Sequence, residues 1–305
     1  MKAVQFDRFG GPEVLELRDV PRPAPEAGEV LIAVKAAAIN PGEIAIREGL
    51  LESRWPTQLP SGEGSDLAGV VEKLGEGESE FAIGDEVCGW TDRRCSHAEL
   101  AAAPTRQLAA KPPDVPWEVA GSLFVAPFAA YASVRAVALE PGEVVAVSAA
   151  AGGVGSVAVQ LALRAGATVI GLASERNHAW LRDKGVIPLA YGDGQAERVR
   201  AASDGQLDAF IDTFGGGYVD LAIELGVSPQ RINTIADFAA IERLGVHGEG
   251  SMLVANVGVL REIVGLIAAG ELEIPIERTF PLAEVQEAYR ELAKRTTRGK
   301  IVLLP

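Results

Sequence analysis

The stretch Val144–Gly155 reads VVAVSAAAGGVG, and SVAVQLALRAG follows it through Gly166. Its opening is a continuous apolar run, the kind of strand that a parallel sheet covers on both faces. The run passes into Ala150-Ala151-Gly152-Gly153-Val154-Gly155, after which a helical pattern opens at once. The spacing is that of a G-x-G-x-x-G turn with Ala150 in the first glycine place. In such a turn Gly152 lets the backbone approach a pyrophosphate, and Gly155 lets the helix pack on the strand. Gly153 and Val154 then lie at the helix N-terminus, where free N–H groups and the positive dipole end attract phosphate.

Working outward, strand and helix patterns alternate. Thr168–Ala173 reads as a second strand, Asn177–Lys184 as a helix closed by Gly185, and Ile187–Tyr191 as a third strand. Gln195–Ala202 reads as a helix and Leu207–Thr213 as a fourth strand. This alternation predicts a doubly wound parallel sheet of the Rossmann type. In the NAD-binding version an acidic residue at the end of the second strand holds the ribose 2′-hydroxyl. Here that place is Ser174, followed by Glu175 and Arg176. A hydroxyl and a guanidinium bond a 2′-phosphate, whereas a carboxylate repels it. With Glu175 pointing away, the pattern predicts NADP(H) in preference to NAD(H).

The first hundred residues have another style. Lys2–Phe6, Leu15–Val20, Glu29–Ala37, Leu67–Leu74 and Glu86–Trp90 read as short strands separated by Gly and Pro, which suggests a barrel or sandwich. Val115–Leu139 is Ala-rich with helical spacing and is expected to break at Pro127. After the parallel-sheet region come a helix Val257–Ala269, an extended piece Pro275–Phe280, a helix Leu282–Arg295 and a last strand Gly299–Leu304. The expected division is a discontinuous β-rich domain, 1–118 with 273–305, and a dinucleotide-binding domain, 119–272.

The chain has 305 residues and a net charge of −14, which disfavours nucleic acid and anionic membranes as partners. Its Cys88 and Cys95, with His97, His178 and His247, give no four-ligand zinc spacing, so no metal is expected. The start MKAVQF has no apolar core of a signal peptide, and a cytoplasmic location is the expectation.

Taken together these segments resemble the medium-chain dehydrogenase/reductase superfamily, in its zinc-free quinone oxidoreductase (zeta-crystallin-like) branch. The resemblance rests on MKAVQFDRFGGPEVLEL and GEVLIAVKAAAINPGEIAIREG. It also rests on LPSGEGSDLAGVVEKLGEGESEFAIGDEV, AAAGGVGSVAVQLALRAGATVIG, IDTFGG and RGKIVLL. It implies a GroES-like domain beside the Rossmann domain, and a homodimer joined through Rossmann edge strands. Zinc-dependent members carry Cys near the place of Asn40 and a His-Glu pair near Gly62-Glu63. Residue by residue, the resemblance implies Asn40 near the nicotinamide and Arg47 further along the same segment, the two candidate catalytic residues. It implies Tyr191 near the adenosine phosphate, Phe214 and Gly215 at the nicotinamide, and Arg298 and Lys300 as basic groups for the phosphates. Two hydroxyls of the family pattern are missing: Ala45 stands for a Tyr, and Pro127-Phe128-Ala129-Ala130 for Gly-x-Thr-Ala.

The implied activity is NADPH-dependent reduction of a small quinone or enone. The alternatives are an NADPH-binding sensor or structural protein with little turnover, and an enoyl-thioester reductase. Of the remaining polar residues, Glu43 and Glu63 read mainly as surface carboxylates, Arg47 equally as a solvated helix residue, and His97 as structural.

Overall fold

The computed structural model describes residues 1–305. The chain divides into two compact units, Met1–Val125 with Asn256–Pro305, and Ala126–Ala255. Where the sequence places the boundaries at 118/119 and 272/273, the observed division falls at 125/126 and 255/256. Helix Val257–Ala268 therefore belongs to the first unit.

The second unit is built on a parallel sheet of five strands. Their order is Ile187–Leu189, Thr168–Leu172, Val144–Val147, Ala209–Asp212, Ile232–Thr234. In chain order that is 3-2-1-4-5, the Rossmann arrangement, which follows from right-handed crossovers on either side of the first strand. The strands are short and nearly all apolar because helices cover both faces: Val145, Ala146, Val147, Phe210 and Ile211 are wholly buried. Ala146, Ile170, Phe210 and Ile232 form one core cluster with Val199, Val219 and Ala222 from the helices. Burying a side chain the size of Phe210 contributes roughly 2–3 kcal/mol.

In the first unit the strand Glu29–Ala38 is the centre of a seven-stranded sheet. Asp66–Leu74 and Leu100–Pro104 pair with it antiparallel, and Lys300–Leu304 joins it antiparallel from the far end of the chain. A second, three-stranded sheet is Glu16–Asp19, Lys2–Phe6, Ser61–Gly62. Between them Phe6, Leu15, Ile39, Tyr289 and Ile301 form a core cluster.

Several local expectations shift. The Ala-rich region forms two helices, Trp117–Ala120 and Val125–Ala136, so the break falls before Pro127 and not at it. Pro127 lies in the first turn of the second helix, where a missing N–H loses no bond. The third parallel strand ends at Leu189, which leaves Tyr191 beyond it, 57% exposed. Leu100–Pro104 and Leu108–Ala110 are strands that their alanine content conceals. No helix is long and apolar enough to cross a membrane.

Candidate functional site

In the second unit the glycine turn has the geometry its sequence predicts. Gly152 is the N-cap of helix Gly153–Arg164, with φ −74° and ψ −176°. The first intrahelical bond runs from Ser156 N to Gly152 O, 2.9 Å, so the N–H groups of Gly153, Val154 and Gly155 have no acceptor within the helix. A Cβ on Gly155 would lie 2.2 Å from the carbonyl oxygen of Ala149, and one on Gly152 would lie 3.2 Å from it. Gly155 is thus required by packing, while Gly152 keeps the outer surface of the turn bare. Ala149 holds a left-handed φ of 44°, a strain that a non-glycine residue sustains only where the surroundings fix it.

The alanine in the first glycine place has a compensation. Ala150 is wholly buried, and its methyl carbon would lie 2.9 Å from a Cβ on Gly171 in the neighbouring strand. The two positions share one space: Gly171 vacates what Ala150 fills.

The end of the second strand carries the other predicted contacts. Ser174 is half-buried and its Oγ accepts a 3.1 Å bond from Asn177 Nδ2. Glu175, Arg176 and Asn177 form one 3₁₀ turn, in which Glu175 and Arg176 are exposed. At the end of the fourth strand, Phe214 packs edge-on against Tyr218, ring centroids 6.0 Å apart, and Gly215 is buried with φ 78°. All these groups lie at the carboxyl ends of the parallel strands, the side on which open α/β sheets bind ligands. The residues fit a dinucleotide: bare N–H groups for a pyrophosphate, a hydroxyl and a guanidinium for a 2′-phosphate, and an aromatic ledge.

Sequence reasoning missed the residues that hold this rim together. Asp212 is wholly buried and accepts from Ser148 Oγ at 2.7 Å and Thr234 Oγ1 at 2.8 Å. Its carboxylate also accepts from the backbone N–H groups of Phe214 and Gly215. The available signal was a polar residue at the carboxyl end of three of the five parallel strands: Ser148, Asp212 and Thr234.

In the first unit the candidate residues Asn40, Arg47 and Lys300 come together in one buried polar cluster. Asn40 caps helix Pro41–Arg47, and its backbone N–H donates to Glu43 Oε2 at 2.8 Å. Its side-chain Nδ2 donates to Asp66 Oδ2 at 2.8 Å and Glu43 Oε1 at 3.2 Å, and its Oδ1 accepts from Lys300 Nζ. Both amide hydrogens are therefore used inside the protein. Lys300 also donates to Ile39 O, 3.1 Å, and is 3% exposed, so its ammonium is committed to the interior. Burial lowers its pKa, against the pull of Asp66 and Glu43.

Arg47 is wholly buried, not a solvated helix residue, and Glu43 and Glu63 are buried as well, against the surface reading of both. Arg47 pairs with Glu63 and lies 4.4 Å over the ring of Tyr289, while its Nε and Nη2 meet no acceptor. Burial pushes the Glu63 carboxyl up to about 8, although Arg47 opposes it. Tyr289 Oη donates to Glu43 Oε2 at 2.6 Å, and burial raises its pKa well above the usual value. His97 faces Ala38 O through Nε2 at 3.3 Å, and burial lowers its pKa. Arg298 is half-buried, with a backbone N–H on Glu277 and an Nε that no acceptor reaches.

No three His, Cys, Asp or Glu side chains converge as a metal-ligand set. Cys88 faces the Ala109 carbonyl, its thiol pushed up to about 12 by burial, and Cys95 lies beside Thr91. This donor chemistry does not fit zinc.

Comparisons with known proteins agree with the architecture. Residues 26–148 match the alcohol dehydrogenase GroES-like domain and residues 184–303 match the zinc-binding dehydrogenase family. The chain is 31% identical to a quinone oxidoreductase of Pseudomonas aeruginosa, covering 100% of this chain and 99% of that protein. It is 38% identical to a quinone oxidoreductase of Lama guanicoe, covering 100% and 97%. Over 91% of its length it is also 32% identical to 5% of the polyketide synthase GfsB of Streptomyces halstedii. Among solved structures, the quinone oxidoreductase from Coxiella burnetii superposes with a TM-score of 0.89 at 33% identity, covering 100% of this chain and 99% of that one. The mycobacterial protein Rv1454c, solved in complex with NADPH, does so with 0.85 at 27% identity and full coverage of both chains. Full-length likeness at these identities, on a Rossmann unit and a GroES-like unit whose sequence signatures agree, means that the chain belongs to the quinone oxidoreductase family of the medium-chain dehydrogenase/reductase superfamily.

Proposed function

We propose that this protein is an NADPH-dependent reductase that delivers hydride to a quinone or a similarly activated enone without a metal. The observation that carries the proposal is the pairing of the bare Gly152–Gly155 turn with Ser174 and Arg176, where NAD-binding relatives of the fold place a carboxylate. Bound NADPH supplies the hydride; the chain supplies the fixed geometry that makes its delivery effective.

The N–H groups of Gly153, Val154 and Gly155 hold the pyrophosphate. Ser174 and Arg176 hold the 2′-phosphate, Tyr191 flanks the adenosine, and the Phe214–Gly215 ledge supports the nicotinamide half. Asn40 and Arg47 act by positioning, because the hydrogens of the Asn40 amide and the charge of Arg47 are engaged with Asp66, Glu43 and Glu63. A quinone that has accepted hydride takes its proton from water, so the missing hydroxyls at Ala45 and Ala129 leave such a reaction open. Such a site would be poor at oxidising a simple alcohol, which needs a metal or a base.

A second reading has one observation in its favour. The likeness to a segment of a polyketide synthase fits reduction of an enoyl thioester. A homodimer joined through Rossmann edge strands and a cytoplasmic location accompany the proposal.

Calorimetry with NADPH and NADH, followed by NADPH oxidation with 9,10-phenanthrenequinone and with an enoyl thioester, tests both. Tight NADPH binding with quinone turnover supports the first reading; turnover with the thioester alone supports the second. Tight binding with neither leaves a sensor, and equal binding of NADH sinks the roles of Ser174 and Arg176.

A further inference from the structure

Three consecutive glycines follow the fourth parallel strand, and all are left-handed: Gly215, Gly216 and Gly217 have φ of 78°, 67° and 90°. Such a run samples many conformations unless something outside it fixes the backbone. The fixing group is Asp212. Its Oδ1 accepts from Phe214 N at 3.0 Å and Gly215 N at 2.9 Å, and its Oδ2 accepts a second, longer bond from Gly215 N at 3.1 Å.

The same carboxylate reaches the neighbouring strands on both sides. Ser148 Oγ donates to Oδ1 and Thr234 Oγ1 donates to Oδ2. Ser148 in turn accepts from Thr213 N at 2.9 Å, and Thr213 Oγ1 returns a 2.7 Å bond to Ser148 O. Ser148 is the last residue before the strained Ala149 that opens the glycine turn. Asp212 therefore bonds the Phe214–Gly215 backbone directly and reaches the glycine turn through the hydroxyl of Ser148, the residue next to Ala149. The hydrogen bonds to the buried carboxylate all come from neutral donors, so its charge is spread over N–H and O–H dipoles that must point inward.

We infer that Asp212 is a positioning residue for the nicotinamide half of the cofactor: its carboxylate holds the Phe214–Gly215 ledge in register with the Ala149–Gly155 turn. The inference rests on the NADPH reading above. A dinucleotide engages both segments at once, so loosening one loses the affinity that depends on their spacing while leaving the phosphate half intact.

The test compares NADPH with 2′-phospho-ADP-ribose, which has both phosphate groups and no nicotinamide, by calorimetry on the full chain. Asp212→Asn puts amide hydrogens where donors converge. It is expected to weaken NADPH about tenfold or more and 2′-phospho-ADP-ribose by less than about twofold. The KM for NADPH rises in step, and kcat with 9,10-phenanthrenequinone at saturating NADPH falls as well, because the loosened ledge no longer fixes the nicotinamide for transfer. Thr234→Val keeps shape and removes one anchor, and is expected to weaken NADPH about threefold if the Asn variant does not fold. As a control, Val227→Ala in the same core cluster lowers the melting temperature and leaves both affinities unchanged. Equal loss of both ligands, or no loss of either, overturns the inference while the cofactor reading stands. A wild-type chain that does not bind NADPH overturns both.

Discussion

Arg47 and Glu63 form an ion pair from which water is excluded on both sides, their side chains being 0% and 1% exposed. The ring of Tyr289 covers the guanidinium, and Tyr289 itself donates to Glu43. The pair joins the end of helix Pro41–Arg47 to the segment that leads into strand Asp66–Leu74. Removing Glu63 strands the buried guanidinium of Arg47, so Glu63→Leu is expected to lower the unfolding free energy by about 3–5 kcal/mol in urea titrations. Arg47→Met with Glu63→Leu removes both charges and is expected to recover at least half of that loss, with NADPH-dependent quinone reduction retained. A stable double variant without activity would make Arg47 a substrate contact and end its positioning role.

The same carboxylate gives the fold a pH dependence of definite sign. Burial raises the Glu63 pKa from 4.5 to about 8. The folded chain therefore holds this proton more tightly than the unfolded chain does, and the contribution to stability is complete below pH 4.5 and lost as pH rises toward 8. Asp66, raised by burial, acts in the same direction, while His97, lowered by burial, acts oppositely as pH falls below 6.5. The isolating comparison is Glu63→Gln. Between pH 4.5 and 8 the wild type is expected to lose stability relative to the Gln variant as pH rises. Parallel stability curves for the two proteins would contradict a raised carboxyl at Glu63.

Legibility in the sequence differed between the two units for a physical reason. The glycine turn was readable because a tight strand-to-helix turn constrains neighbouring residues: Gly152 and Gly155 stand where the chain order requires them. The parallel strands were readable because burial on both faces makes them continuous apolar runs, as in VVAV and AFID. Leu100–Pro104 was not, since LAAAP carries no β-branched or aromatic residue, and its pairing with Glu29–Ala38 comes from tertiary contact. The charged cluster was opaque for a related reason. Arg47 and Glu63 are polar letters in an acidic chain, and only the fold brings them together with Tyr289, from near the other end of the sequence. Asn40 and Lys300 became candidates through family resemblance, and their shared hydrogen bond could not be read from spacing.

The two glycines of the turn separate folding from ligand binding. A methyl on Gly155 would collide with the Ala149 carbonyl at 2.2 Å and with Ala150 Cα at 2.9 Å, both backbone atoms. Gly155→Ala is therefore expected to cost several kcal/mol or abolish folding, as seen by circular dichroism and thermal melting. At Gly152, φ of −74° suits any residue, and the methyl would stand 3.2 Å from one carbonyl oxygen. Gly152→Ala is expected to melt within a few degrees of the wild type, yet bind NADPH at least about tenfold more weakly, because its methyl occupies the surface that a pyrophosphate must approach. Unchanged NADPH affinity in a well-folded Gly152→Ala protein would remove the turn from the cofactor site.

In the proposed site Arg176 is expected to carry the choice between the two nicotinamide cofactors. It stands exposed on the 3₁₀ turn that closes the second strand, beside half-buried Ser174, whose Oγ is steadied by Asn177. A charge-assisted hydrogen bond to a phosphate contributes about 1.5–3 kcal/mol. Arg176→Ala is accordingly expected to weaken NADPH by about tenfold to a hundredfold while leaving NADH, which lacks the 2′-phosphate, within about twofold. The preference should also shrink as salt is raised, because an exposed guanidinium is screened. Glu175 supplies the complementary test: as a carboxylate in the same turn it opposes the 2′-phosphate, so Glu175→Gln is expected to strengthen NADPH and leave NADH unchanged. If both substitutions shift NADPH and NADH together, the turn shapes the site without reading the phosphate, and the discrimination assigned to it is wrong.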